Sequence, residues 1–365
     1  MKTISYRPLD WRPPNESRMA PKLLLLAALL ITGTVLVGAY ALPAETPSAE
    51  GPPIALGGLS QLVFPAPVIA QVEQPAGEPW TMPVAAAVVG NTTFVLDTGN
   101  NRVLKLDPAG RVLATFDTAD GGGPPMQQPL AIASDGIHLF IANSLAADLL
   151  VLDLTGRLQR VVSLEAAPGE PAPRPIGVAV MPGGGLAVSD ADNHRVLRLD
   201  GEGHVLWSAG TGARAGGQEG FNVPGALTVD GSGNIYVVDT LNGRVVELSP
   251  DGAFLRQFGR LGDSAGTLSR PKGVAVDAEG RVFVSDGLLA AVEVFAADGT
   301  YVGFIGRRDP ADPTSPSLFQ APAGLLLAGE TLYVTDRFAG LVTFDLSSVP
   351  PPAPATTGEE TDSGP

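Results

Sequence analysis

Three copies of the pattern Asp-x-x-Asn-x-Arg are the clearest candidates for chemistry in this 365-residue sequence. They are Asp97/Asn100/Arg102, Asp190/Asn193/Arg195 and Asp239/Asn242/Arg244. Arginine presents a planar fork of donors that binds carboxylate or phosphate, so these arginines predict an anion site. The same residue types also suit a structural role, because aspartate accepts backbone N–H bonds in turns and arginine can pair with it.

Alignment on the aspartate of this pattern gives six anchor positions that recur every 46 to 50 residues. The anchors are Asp97, Asn143, Asp190, Asp239, Asp286 and Asp336. Calcium takes oxygen ligands, so the five aspartates predict an alternative in which they form a calcium ring. Turn-capping explains the same residues without a metal, and we expect no cofactor, with calcium as the alternative.

Histidine is too sparse to favour a zinc site. The sequence contains three histidines, His138, His194 and His204, and no cysteine. A histidine-rich zinc site would need nearly all of them together. Because they follow different turns of their repeats, we expect them not to converge.

The elements that must position these residues are short β-strands. Each repeat contains about four β-patterned runs separated by turns rich in Gly, Asn and Asp, and a proline opens each repeat 14 or 15 residues before its anchor. The first run of each repeat is rich in small residues, as expected where innermost strands converge on an axis. Six such repeats predict an all-β, six-bladed β-propeller.

The segments PKGVAVDAEGRVFVSDG, VVDTLNGRV and LDTGNNRV resemble NHL repeats, and the resemblance covers roughly residues 66 to 348. NHL propellers occur in tripartite-motif proteins, in extracytoplasmic sensor domains of bacterial receptor kinases and in a peptide-amidating lyase. The resemblance therefore implies a six-bladed propeller of the NHL type. It does not choose between binding and catalysis, because this architecture supports both.

The sixth repeat lacks a fourth run, since Val349-Pro-Pro-Pro352 cannot form a central strand. An unpaired β-pattern occurs near the other end of the repeats, at Val68 to Val72. We expect this segment to supply the outer strand of the sixth blade and so to close the ring.

The residues before the repeats predict a membrane anchor. Residues 1–22 are basic and precede twenty uncharged residues, Leu23–Leu42, which at about 1.5 Å each can cross a bilayer core of about 30 Å. Cations before the span favour a cytoplasmic N-terminus. Cleavage near Ala41, giving a secreted protein, is the alternative. We expect a linker at 43–65, the propeller at 66–348 and a disordered tail at 349–365.

Charge argues against nucleic acid as a partner, because the formal net charge is −15 and phosphate would be repelled. Features common to all repeats serve the repeat, so a binding site should appear where blades differ, on the face that collects the longer loops. The residues predicted to bind ligand there are Arg102, Asn143, Asn193, His194, Arg195, Asn242, Arg244 and Arg337.

The expected function is that of an extracytoplasmic, membrane-tethered propeller that binds a protein, peptide or glycan without catalysis. No nucleophile elbow, phosphate-binding loop or recognisable catalytic carboxylate pair occurs in the sequence, so we expect no catalytic residues. The alternative is a calcium-dependent lactonase-like or lyase-like propeller enzyme that uses the anchor ring.

Overall fold

The computed structural model describes residues 68–72, 79–306 and 317–347, in which 24 strands form six four-stranded antiparallel sheets. Strand β1 is Val68–Val72. The first blade contains β2 (Pro83–Val89), β3 (Thr92–Asp97), β4 (Arg102–Leu106) and β5 (Val112–Phe116). The second blade contains β6 (Pro129–Ser134), β7 (His138–Asn143), β8 (Asp148–Asp153) and β9 (Leu158–Ser163).

The next three blades repeat this order. The third contains β10 (Pro175–Val180), β11 (Leu186–Asp190), β12 (Arg195–Leu199) and β13 (Val205–Ala209). The fourth contains β14 (Pro224–Val229), β15 (Ile235–Asp239), β16 (Arg244–Leu248) and β17 (Phe254–Phe258). The fifth contains β18 (Pro271–Val276), β19 (Val282–Asp286), β20 (Ala291–Phe295) and β21 (Tyr301–Ile305).

The sixth blade joins the two ends of the described chain. Its strands are β22 (Pro322–Ala328), β23 (Thr331–Asp336), β24 (Gly340–Asp345) and β1. Strand β1 pairs antiparallel with β24, with Val68 opposite Phe344 and Val72 opposite Leu341. The prediction that Val68 to Val72 closes the ring is therefore confirmed, and the pairing covers an edge that β24 would otherwise expose.

The first strands of neighbouring blades contact one another around a closed ring, from β2 through β6, β10, β14 and β18 to β22 and back to β2. The small residues predicted there are required by this crowding. A Cβ on Gly273 would collide with the carbonyl oxygen of Ala323, and a Cβ on Gly324 with that of Val84. The all-β, six-bladed propeller is thus confirmed.

Each hydrophobic cluster is formed mainly by two adjacent blades. Phe283 and Phe344, for example, are buried together between the fifth and sixth blades. A single sheet cannot bury both of its faces, so each blade depends on two neighbours. This packing fixes the loops between second and third strands around one end of the axis.

Several predictions concern segments outside the described residues. These are the cytoplasmic segment 1–22, the span Leu23–Leu42, the cleavage point near Ala41, the linker 43–65 and the tail 349–365. Within the described ranges the helices are short 3-10 turns, and none has the length and apolar character that a bilayer crossing requires.

Candidate functional site

The six anchor residues all end the second strand of a blade and are fully buried. In the first blade Asp97 accepts hydrogen bonds from Thr81 N (2.5 Å), Asn100 Nδ2 (2.8 Å) and Arg102 Nε (2.8 Å). The carboxylate thus ties the segment before the blade to the turn and to the third strand. Buried polar groups need such partners, so the sequence pattern has a structural cause here.

Anchors without the Asn and Arg of the motif use backbone donors instead. Asp286 Oδ2 accepts from the N–H groups of Ser269 and Arg270 at 2.6 and 2.8 Å, and Oδ1 from those of Leu288 and Leu289 at 2.9 and 3.0 Å. Asp336 has the same arrangement with four N–H groups of its own blade. A calcium ion at this ring would have to displace these bonds, which stabilise both ends of each turn.

The three motif arginines point into their own blades. Arg244 is 4% exposed, and its guanidinium donates to Asp239 at 2.7 Å and to the carbonyl oxygens of Gly217 and Gly220 at 3.0 and 2.8 Å. Burial raises the pKa of Asp239 although its hydrogen bonds oppose that shift. Arg195 pairs with Asp190 and with Glu170.

The amide groups of the motif have similar roles. Asn193 donates to Asp190 and to the carbonyl of Pro171, and Asn242 donates to Asp239 and to the carbonyl of Ala215. The motif residues predicted to bind ligand therefore lie in separate turns, each bonded within its own part of the ring.

His194 occupies the left-handed turn position before Arg195, with φ of +48°. Its Nδ1 accepts the N–H of Val223 at 3.1 Å, which requires a neutral ring. Burial lowers the pKa of His194, and the nearby Arg214 adds to that effect. His138 and His204 pair with Asp135 and Asp200 in other hairpins, so the three histidines do not converge.

A cavity of about 330 Å³ lies on the axis, lined by the innermost strands of all six blades. Three cationic residues from different blades line it: Arg174 just before β10, Lys272 in β18 and Arg337 just after β23. Of the eight predicted ligand residues, Arg337 is the one that lines this cavity. No carboxylate is among its lining residues in the described part of the chain.

The charges at this cavity are only partly neutralised. Arg174 pairs with Asp192, with Nε 2.6 Å from the carboxylate oxygen. Within the described residues the side chains of Lys272 and Arg337 have no hydrogen bond or ion pair. Burial, with added repulsion from Arg337 and Arg270, lowers the pKa of Lys272 to about 8. Burial also lowers the pKa of Arg337, and Arg270 contributes.

Lys272 is the functional candidate that motif reasoning missed. It follows the proline that opens its blade, where the other blades carry Val84, Leu130, Ile176, Gly225 and Ala323. Alignment of the six repeats on their opening prolines would have shown that this is the one charged residue at the position. Gly287 lies beside it, since a Cβ there would be in ordinary van der Waals contact with Lys272 Cγ, at 3.7 Å.

Six apolar side chains, one from each innermost strand, form the floor of this cavity. They are Ala86, Ile132, Val178, Leu227, Val274 and Leu325, which also line a second axial cavity of about 300 Å³. The upper cavity thus combines cations near its opening with apolar walls below. A small organic anion would match both features.

Solved structures with this architecture include two kinds of named enzyme. A catalytically inactive virginiamycin B lyase from Staphylococcus aureus, with quinupristin, is 12% identical, with a TM-score of 0.54 over 78% of this chain and 99% of that chain. A gluconolactonase from Xanthomonas campestris is 18% identical, with a TM-score of 0.56 over 84% of this chain and 98% of that chain. A structure described as a putative gluconolactonase is 18% identical, with a TM-score of 0.57 over 79% of this chain and 95% of that chain. At these identities the likeness concerns the fold.

No curated protein matches the sequence. The resemblance to NHL repeats is not confirmed, because the family profile that matches is a different one. That profile is described as outer membrane protein assembly factor BamB, and it matches residues 99–348, more than half of the chain. The chain belongs to this family.

Proposed function

We propose that the protein is a ligand-binding propeller whose axial cavity takes an anionic group, a carboxylate or a phosphate. The supporting observation is the convergence of Lys272 and Arg337 on a cavity that also has Arg174. Neither side chain forms an ion pair with a described residue, and Asp286 and Asp336 attract them only at longer range. Both side chains are half-buried. Cations that are partly removed from water are normally paired, so two without an ion pair favour an anionic occupant. An anion would also relieve the mutual repulsion that lowers the pKa of Lys272.

The test measures binding of benzoate, inorganic phosphate and uncharged benzamide to the full-length protein in mild detergent by titration calorimetry. We expect benzoate or phosphate to bind and benzamide not to bind. Lys272→Met and Arg337→Met should each weaken anion binding at least tenfold, about 1.4 kcal/mol. Arg111→Met is the matched control, because its side chain is 81% exposed in an outer hairpin.

Two further results bear on the proposal. Affinity should fall as pH rises above about 8, because Lys272 then loses its charge. Equal binding by the two cavity variants and the parent, or the lack of any anion binding, would refute an axial anion site.

We also propose that the propeller is outside the cytoplasm and tethered by Leu23–Leu42. The supporting features are the uncharged twenty-residue segment and the basic residues before it. The family description, an outer membrane protein assembly factor, is consistent with a place in the cell envelope. Protease added to spheroplasts, from which the outer membrane barrier has been removed, should cleave the protein, whereas protection until the inner membrane is lysed would contradict export.

Catalysis is the second candidate, and Lys272 is the observation that favours it. A lysine whose pKa is about 8 is mostly protonated at neutral pH but keeps a minor unprotonated fraction that can act as a general base, and this fraction grows as pH rises towards 8. Arg337 could stabilise negative charge that develops on the substrate. A lyase-like or lactonase-like reaction would then need Lys272, and Lys272→Met should abolish turnover while Lys272→Arg also fails, because arginine remains protonated.

A further inference from the structure

Exposed apolar side chains occur in the turns between second and third strands, at the end of the blades where Arg337 also lies. Four of the six blades place one at the second position after the anchor residue. They are Leu145, Leu241, Leu288 and Phe338, which are 63%, 52%, 66% and 63% exposed. Scattered surface leucines are ordinary, but their repetition at one register position groups these four on one face. We call these four residues the apolar rim.

The rim is continuous in sequence with the cavity. Thr240 and Arg337 line the cavity, and each is followed directly by a rim residue, Leu241 and Phe338. Gly287, which adjoins Lys272, is followed by Leu288. The backbone N–H groups of Leu288 and Phe338 are held at 2.9 Å by the buried anchors Asp286 and Asp336. The rim therefore has a fixed backbone at the mouth of a cationic site.

We propose that the rim and the cavity together bind the carboxyl terminus of a partner polypeptide, with its last residues apolar. This deepens the proposed anion-binding function and depends on it. The cations would receive the terminal carboxylate, and the rim would contact the residues before it. Capture of a terminal carboxylate together with neighbouring side chains is a known mode of peptide recognition.

The geometry favours a chain end over other occupants. The floor formed by Ala86, Ile132, Val178, Leu227, Val274 and Leu325 limits what can enter to a short group. Contact with rim residues of several blades requires a ligand that extends across the opening. Residues 356–365 of this chain, TTGEETDSGP, are acidic but contain no large apolar residue to match the rim.

Fluorescence polarisation with a labelled heptapeptide tests the inference on the full-length protein. The peptide ends in three apolar residues, and it is compared with the same peptide bearing a C-terminal amide. We expect the amide to bind at least tenfold more weakly, because the cavity loses its anionic partner. The triple variant Leu241→Ser, Leu288→Ser and Phe338→Ser should lose peptide binding and keep benzoate binding.

The matched control is the double variant Leu113→Ser and Leu255→Ser, two leucines that are 58% and 48% exposed on outer strands β5 and β17. It should bind the peptide as the parent does. Lys272→Met should lose both peptide and benzoate. Benzoate binding without peptide binding would leave the proposed function standing and overturn this inference.

One other outcome would also overturn it. If decanoate, and not the peptide, binds in a rim-dependent way, the rim serves a small amphiphile.

Discussion

The side-chain amide of Asn143 donates a hydrogen bond of 2.9 Å to the carboxylate of Asp148, where three other blades pair an anchor aspartate with an arginine. In the second blade the anchor residue is therefore the donor and the first residue of the third strand is the carboxylate, the reverse of the other three blades. Asn143 also accepts the N–H of Gln127 at 2.5 Å, as the aspartate anchors do with their own upstream segments. Burial raises the pKa of Asp148.

Exchange of these two residues should show that the pair is structural. Asn143→Asp puts two carboxylates together in a buried turn and should reduce the free energy of unfolding by about 2–4 kcal/mol. Adding Asp148→Arg recreates the pair of the other blades and should recover most of that loss. Urea unfolding measures both. A double variant as unstable as the single variant would contradict this account.

Ring closure by β1 should contribute to global stability. Replacement of residues 68–72 by a Gly-Ser sequence of equal length removes the partner of β24 and should lower the melting temperature by roughly 10 °C, since each kcal/mol corresponds to about 2–4 °C in a domain of this size. Deletion of residues 349–365 is the control and should change it little. A melting temperature that survives the replacement would mean that the sixth blade is stable with three strands.

Arg244 should prove to be structural rather than ligand-binding. Arg244→Lys removes the forked donors that reach Gly217 and Gly220 and should reduce stability by about 2–3 kcal/mol. Benzoate affinity should stay unchanged, because Arg244 does not line the axial cavity. Arg111→Lys, at an exposed site, should alter stability by less than about 0.5 kcal/mol. A loss of benzoate binding in Arg244→Lys would restore the anion-site hypothesis for the motif.

The low pKa of Lys272 predicts a specific dependence of stability on pH. Below pH 8 the lysine is protonated in both folded and unfolded states, and its burial cost is fully present. Between about 8 and its ordinary value of 10.5 the folded protein loses the proton first, so stability should rise relative to Lys272→Met. The gain is at most about 3 kcal/mol. Urea unfolding of both proteins at pH 7 and 10 measures it, and identical pH dependence would contradict the shift.

Calcium should not affect stability through the anchor ring. Asp97, Asp286 and Asp336 already accept three or four hydrogen bonds each, so added calcium or EDTA should leave the melting temperature of the full-length protein unchanged. Differential scanning calorimetry in the two buffers is sufficient. A fall of many degrees with EDTA would instead support the calcium-dependent enzyme alternative.

The repeat by itself determined the architecture of this protein. Period, turn residues and opening prolines are local signals, and a blade of four short strands follows from them. Ring closure by Val68 to Val72 was also predictable, because the sixth repeat lacked a strand and one unpaired β-pattern remained. The anchor aspartates were predictable as turn residues for the same local reason.

Only the tertiary structure decided which side chains meet at the axis. Arg174, Lys272 and Arg337 are separated in sequence by about a blade or more. They line one cavity only because the six blades converge on a common axis. The burial that lowers the pKa of Lys272 is likewise a property of the closed ring. The sequence shows that Lys272 differs from the apolar or small residues that follow the opening proline in the other blades. Its place at the axis results from packing between blades, and no single repeat contains that information.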